Sequence, residues 1–121
     1  MMELTLLGTG CPSVDYKRFG PANLVSTNKT KILVDCGSGV TQRLNEAKIS
    51  SEEIDALFLT HLHSDHVVDF YQLIISSWHS YRTKPWKVYG PKGTNFFVKK
   101  NNECMEGRKK TKNKIRSSFF H

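Results

Sequence analysis

Seven residues, Thr60-His-Leu-His-Ser-Asp-His66, hold three imidazoles and a carboxylate. Neutral imidazole and carboxylate are the usual protein ligands of zinc and comparable divalent metals. His61 and His63 are two positions apart. On a helix they would diverge by about 200°. On an extended segment they share a side and can grip one ion. Asp65 and His66 are neighbours and need a sharp turn to reach a second ion together. Both requirements are met at the mouth of a strand. An ordinary polar loop is the bland alternative, but chance is a poor explanation for this ligand order directly behind the apolar run Ala56-Leu-Phe-Leu59.

The chain must supply the elements that hold such a site. Residues 3–7 (ELTLL) read as an opening strand that ends at Gly8-Thr9-Gly10, followed by a loop over 11–21 with Pro12, Gly20 and Pro21. Residues 23–26 and 31–35 read as two strands of a hairpin around the polar turn 26–30. Gly37-Ser38-Gly39 breaks the chain, and 40–47 has helical spacing with Val40, Leu44 and Ala47 on one face. Residues 50–53 (SSEE) resemble a helix start with too little chain after it for a full helix. Residues 56–59 predict a short buried strand that delivers the chain to His61, and 67–77 a helix packed on the sheet. Residues 86–89 predict another strand closed by Gly90-Pro91-Lys92-Gly93, with Thr94 as the N-cap of a helix starting at Asn95. Hairpins followed by alternating strands and helices predict an α/β layer fold with a mixed sheet.

A chain of 121 residues fits one modest domain. Its formal charge of +7 is a property of the end of the chain: residues 99–121 carry eight Lys/Arg against two Glu, residues 1–98 ten against nine acids. The basic balance is therefore weak support for a nucleic-acid surface on the folded part. Residues 101–121 lack periodicity and predict a basic, disordered tail behind a domain over 1–100, a nucleic-acid-binding arm being the sharper alternative. Three widely spaced cysteines form no CxxC pair, no charged stretch followed by an apolar one opens the sequence, and no apolar run reaches membrane-spanning length. A reducing, cytoplasmic setting and no membrane partner are expected. Asn28-Lys29-Thr30 matches a glycosylation sequon but reads as a polar turn.

At the central motif a resemblance becomes specific. "THLHSDH" behind "IDALFL" resembles the HxHxDH signature of the metallo-β-lactamase-fold hydrolases. "LLGTGCP", "RFGPANLV", "ILVDCGSGVTQRL" and "VYGPKGT" are similar to the ribonuclease Z-like branch of that superfamily, over residues 2–98. Ser64 stands where this branch often has Gly. The resemblance implies the N-terminal half of a four-layer αβ/βα sandwich, with a mixed sheet and helices on one face. It implies His61 and His63 on a first zinc, Asp65 and His66 on a second, other divalent metals being alternatives, and Asp65 as the catalytic residue that orients or deprotonates the attacking water. Gly8 and Gly10 would turn the backbone tightly near the site. Asp35 would either back a ligand histidine or bond to local amides. The implied function is a zinc-dependent phosphodiesterase, possible substrates being a tRNA precursor cut at its 3′ end or a small phosphodiester; an arylsulfatase-like or other ester hydrolase is the alternative. The branch is often homodimeric.

The ligand count is short of what the resemblance asks. Two zinc ions in this family also use a third histidine, a bridging aspartate and a last histidine, all further along the chain. Here no aspartate follows Asp69, and the remaining histidines are His79 and His121. Codons for residues 101–106, read in a shifted frame, give Ile/Thr, Met/Thr, Asn/Ser, Ala/Val and then Trp, of which Ile-Met-Asn-Ala-Trp would continue the preceding helix. The expectation is a truncated or frameshifted hydrolase after about residue 100, inactive alone. The second class of function is thus a non-catalytic metal-binding fragment or interaction module.

Overall fold

Strand alternation and three crossovers set the architecture. The structure, a computed structural model, describes residues 1–106 and 115–119. β1 (Glu3–Gly8), β2 (Ala22–Ser26) and β3 (Lys31–Val34) form an antiparallel meander. β3, β4 (Ala56–Phe58), β5 (Trp86–Gly90) and β6 (Ile115–Phe119) run parallel to one another. The six strands lie side by side in chain order, as one mixed sheet. Each parallel step needs a crossover, which the chain supplies as helices: α1 (Val40–Glu46), then α2 (Ser64–Val67) with α3 (Phe70–His79), then α4 (Thr94–Glu106). The fold is the expected α/β arrangement.

Register explains which face is covered. Leu24 pairs with Leu33, Leu33 with Leu57 and Leu57 with Val88, and all four are fully buried. Val40 and Leu44 of α1, Phe70, Leu73 and Ile74 of α3, and Val98 and Met105 of α4 join them in one core. Because side chains alternate along a strand, the row Leu6, Asn23, Val34, Phe58, Tyr89 points the other way. That row is half-buried or exposed, with Leu6 at 59%. The described helices therefore belong to one face.

Local chemistry accounts for the connections. In the β2–β3 turn, the Thr27 hydroxyl accepts the backbone N–H groups of Lys29 and Thr30, so the sequon is a hydroxyl-held turn. Residues Ser51–Glu53 make a single 3-10 turn, closed by the Ser50 N–H donating to the Glu53 carboxylate at 2.7 Å. The buried guanidinium of Arg82 lies over Trp86, 3.9 Å from the ring centre. It donates to the carbonyls of Ser51, Glu52, Ile54, Lys84 and Pro85, tying the run into β4 to the run into β5.

Three expectations are revised. The helix predicted over 67–77 is two helices, because the Asp69 N–H leaves the helical ladder for the Cys36 carbonyl and its carboxylate takes the Thr41 N–H and hydroxyl. Thr94 does not cap from outside: it is the first residue of α4, and its hydroxyl donates to the Pro91 carbonyl. Of the stretch 101–121, expected as a disordered tail, residues 101–106 continue α4, and Ile115–Phe119 pair with β5. The helix passes residue 100 because Met105, seven positions after Val98, returns to the same face and is fully buried, while the Asn101 amide donates to the Phe97 carbonyl. The expectation for 107–114 and 120–121 lies outside the described residues.

Close backbone approach, rather than a turn, explains Gly37. A Cβ there would stand 2.8 Å from the Asp65 carbonyl oxygen and against Gly20 and Pro21. Gly37→Ala is expected to lower stability by about 1–3 kcal/mol, the usual cost of overpacking. Urea unfolding checks this; an unchanged midpoint would show that the backbone gives way freely.

Candidate metal centre

The site gathers at the carboxyl ends of β3 and β4. The chain bends at Thr60 just after β4, and His63 is extended, with φ −63° and ψ 146°. The rings of His61 and His63 come close together, their centres 4.6 Å apart and the rings steeply inclined at 76°. The expected sharp turn for Asp65 and His66 is the single-turn helix α2, not an irregular loop. It swings His66 back until its ring centre is 4.0 Å from that of His61. The structure thus brings His61, His63, Asp65 and His66 together.

Two spacings bear on metal binding. His66 Nε2 stands 3.5 Å from Asp65 Oδ2. Two donors on one tetrahedral zinc, each about 2.0–2.2 Å from it, stand about 3.4 Å apart, so this pair has the separation of two ligands of a single ion. His66 Nδ1 is 2.8 Å from Asp35 Oδ2. A carboxylate behind the far nitrogen of an imidazole fixes the ring and leaves the near nitrogen for a metal. The donor chemistry fits zinc, but the set is partial. Among the described residues, no three His, Cys, Asp or Glu side chains are arranged around a single point where an ion would sit.

Asp35 both faces His66 and accepts from a local amide. Besides His66 it accepts the Thr60 N–H at 2.8 Å and the Thr60 hydroxyl at 2.8 Å. It is 5% exposed and sits at φ +62°, left-handed backbone that Asp tolerates better than most residues. Its own N–H donates to the Phe58 carbonyl, and the Cys36 N–H to the His66 carbonyl, so β4 and α2 are both locked to this corner. Gly8 and Gly10 shape the neighbouring loop: Gly10 donates to the Phe19 carbonyl at 2.8 Å, and a Cβ on Gly8 would collide with the Gly20 carbonyl.

His79 is not part of the cluster. It is exposed at the last residue of α3, about 14 Å along the helix from Phe70. His121 lies outside the described residues. The residue that sequence reasoning passed over is Thr60, whose only signal was a hydroxyl immediately before His61.

Cys36 lies beside this corner without joining it. Burial first, then the nearby Asp69 and Asp35 carboxylates, push its thiol well above the ordinary range. Reactivity follows the thiolate. Iodoacetamide is therefore expected to label the exposed Cys11 and Cys104 and to spare Cys36 until the chain is unfolded, which peptide mass mapping reads directly. Labelling of Cys36 in the folded chain would show that this corner opens.

The family model described as anti-Pycsar protein Apyc1 matches residues 2–119. The chain belongs to that family. Apyc1-family membership comes with strong similarity to ribonuclease Z: this member is 47% identical over 96 residues to the ribonuclease Z of Mycobacterium sp. (strain KMS), covering 78% of this chain and 34% of that protein. It is 45% identical over 97 residues to the ribonuclease Z of Mycolicibacterium gilvum, again 78% and 34%. The structure superposes on human tRNase Z, short form, with a TM-score of 0.79 at 27% identity, over 98% of this chain and 43% of that one. It superposes on the metallo-β-lactamase fold protein YhfI of Bacillus subtilis with a TM-score of 0.78 at 22% identity, over 99% and 46%. The resemblance to the ribonuclease Z-like branch and to its fold is borne out. The Apyc1-family chain spans about a third of the length of the curated relatives it matches. Proteins of this fold typically bind metal ions.

Proposed function

We propose that this chain carries part of the metal centre of a zinc-dependent, ribonuclease Z-like phosphodiesterase. The observation that carries the reading is the cluster of His61, His63, Asp65 and His66 with the Asp35 carboxylate behind His66. In this reading His61 and His63 hold one zinc and Asp65 and His66 a second. Zinc at such a position supplies an acidified water and charge stabilisation for displacement at phosphorus. The protein's share is to hold the donors. α2 turns Asp65 toward His66, the backbone of Gly37 lets the Asp65 carbonyl approach, and Asp35 orients the His66 ring. In this reading Asp65, partly buried beside His66, accepts a proton from the attacking water.

The substrate class follows the ribonuclease Z similarity: an RNA such as a tRNA precursor, with a small phosphodiester as the second candidate. Three free thiols favour a reducing compartment, the cytoplasm. Among the described residues no helix is long and apolar enough to cross a membrane. A homodimer accompanies the reading, as does the need for metal donors from outside the described residues. The non-catalytic alternative, a metal-binding module, is favoured by one observation, the partial donor set.

The test is a chimera in which residues 1–98 replace the matching part of the mycobacterial ribonuclease Z. It is expected to retain zinc-dependent hydrolysis of a chromogenic phosphodiester and of precursor tRNA, and to lose both with His63→Ala. A folded chimera that binds zinc and cleaves neither would leave the metal-binding module as the better reading.

A further inference from the structure

The Thr60 hydroxyl lies between two groups of the cluster. Its Oγ1 is 2.8 Å from Asp35 Oδ2 and 3.0 Å from Oδ1 on one side, and 2.9 Å from His61 Nδ1 on the other. A hydroxyl has one proton to donate. The Asp35 carboxylate already accepts the Thr60 N–H and faces His66 Nδ1, and a carboxylate accepts rather than donates. The hydroxyl proton of Thr60 therefore points to Asp35. Only a lone pair then faces His61 Nδ1, and a 2.9 Å contact to a lone pair is a hydrogen bond only if Nδ1 carries the proton. His66 obeys the same logic directly, since its Nδ1 must donate to Asp35.

We propose that Thr60 is a positioning residue, a relay through which the single Asp35 carboxylate sets the tautomer of His61 as well as that of His66, so that both rings turn an unprotonated Nε2 outward. The backbone supports the relay. The Thr60 N–H bond to Asp35 Oδ1 fixes the distance between β3 and β4 ends, and the left-handed Asp35 backbone aims its carboxylate beneath Thr60. The β-branched side chain of threonine has few rotamers, so its hydroxyl is held at that angle. Serine should retain the relay, while valine keeps the shape and removes it. The purpose of the arrangement rests on His61 and His66 being metal ligands, but the tautomers do not. They are measured on the metal-free chain, so failure of the relay and failure of the metal reading are separate results.

The measurement is the long-range nitrogen–proton correlation spectrum of the histidine rings, in the full chain with metal removed, at mildly alkaline pH. The expected wild-type result is Nδ1–H for His61 and His66. Thr60→Val is expected to return His61 to the Nε2–H form that imidazole favours in water, leave His66 as Nδ1–H, and weaken zinc binding by about 10–100-fold, the range for loss of a group behind a ligand. Thr60→Ser is expected to keep both tautomers and most of the affinity. An Nε2–H His61 in the wild type overturns the proposal outright, whatever the variants do. So does a His61 that stays Nδ1–H in a folded Thr60→Val.

Discussion

Arg82→Ala is expected to lower stability by about 3–5 kcal/mol, a large share of what holds a domain of this size. Arg82 is 2% exposed, and its guanidinium serves five carbonyls, three of them on the 51–54 run that feeds β4. Removing it takes a donor from all five, the Ser51 carbonyl keeping a second partner in the Ile54 N–H, and a buried group left unsatisfied costs about 1–3 kcal/mol. Burial lowers the Arg82 pKa to about 10, against the opposing pull of Asp55 and Glu52, so the side chain is still a cation at neutral pH. Lysine restores the charge but not the planar fork, so Arg82→Lys is expected to recover less than half of the loss. The check is urea unfolding of the three chains, the midpoint falling with little change in slope. If Arg82→Ala shifts the midpoint by less than about a third of that expected, the five bonds do not carry the junction.

The isolated chain is expected to hydrolyse a chromogenic phosphodiester on the order of 10⁴-fold more slowly than the chimera with mycobacterial ribonuclease Z. Catalytic zinc usually has three protein ligands and a water. In the proposed reading the donors group in twos, and no set of three that could hold an ion is present among the described residues. Loss of a group behind a ligand typically costs about 10–100-fold, and loss of a ligand should cost more. In that reading no donor is shared between the two pairs to fix their separation, and a misplacement of about 1 Å alone costs on the order of 100-fold. Zinc-dependent turnover by the isolated chain near the chimera's rate, lost in His63→Ala, would show that the donor set is completed within this polypeptide or by a second copy of it.

Much of this was legible in the sequence, for physical reasons. The spacing of His61 and His63 demanded extended chain, and Ala56-Leu-Phe-Leu59 announced the strand that supplies it. Hydrophobic alternation gave β2 and β3 with their turn nearly to the residue. What stayed hidden depends on partners far apart in sequence. Asp69 interrupts the helix because Cys36 and Thr41, some thirty positions earlier, take its N–H and carboxylate. Met105 looked like part of a polar tail because one apolar residue makes no stripe; its partner Val98 is a full two turns back. Thr60 showed only as a hydroxyl beside His61, since its meaning lies in Asp35, twenty-five residues away. Arg82 reads as an ordinary surface cation until the strand ends it ties together are placed side by side.

The central claim is that His61, His63, Asp65 and His66 are the metal donors of this chain. Calorimetric zinc titration of the wild type and of each single alanine variant, with His79→Ala as the control, tests it most directly. The account predicts that every one of the four replacements weakens binding by more than 10-fold at its site, while His79→Ala binds as the wild type does. Wild-type affinity in His61→Ala and His66→Ala, or an equal loss in His79→Ala, would contradict it.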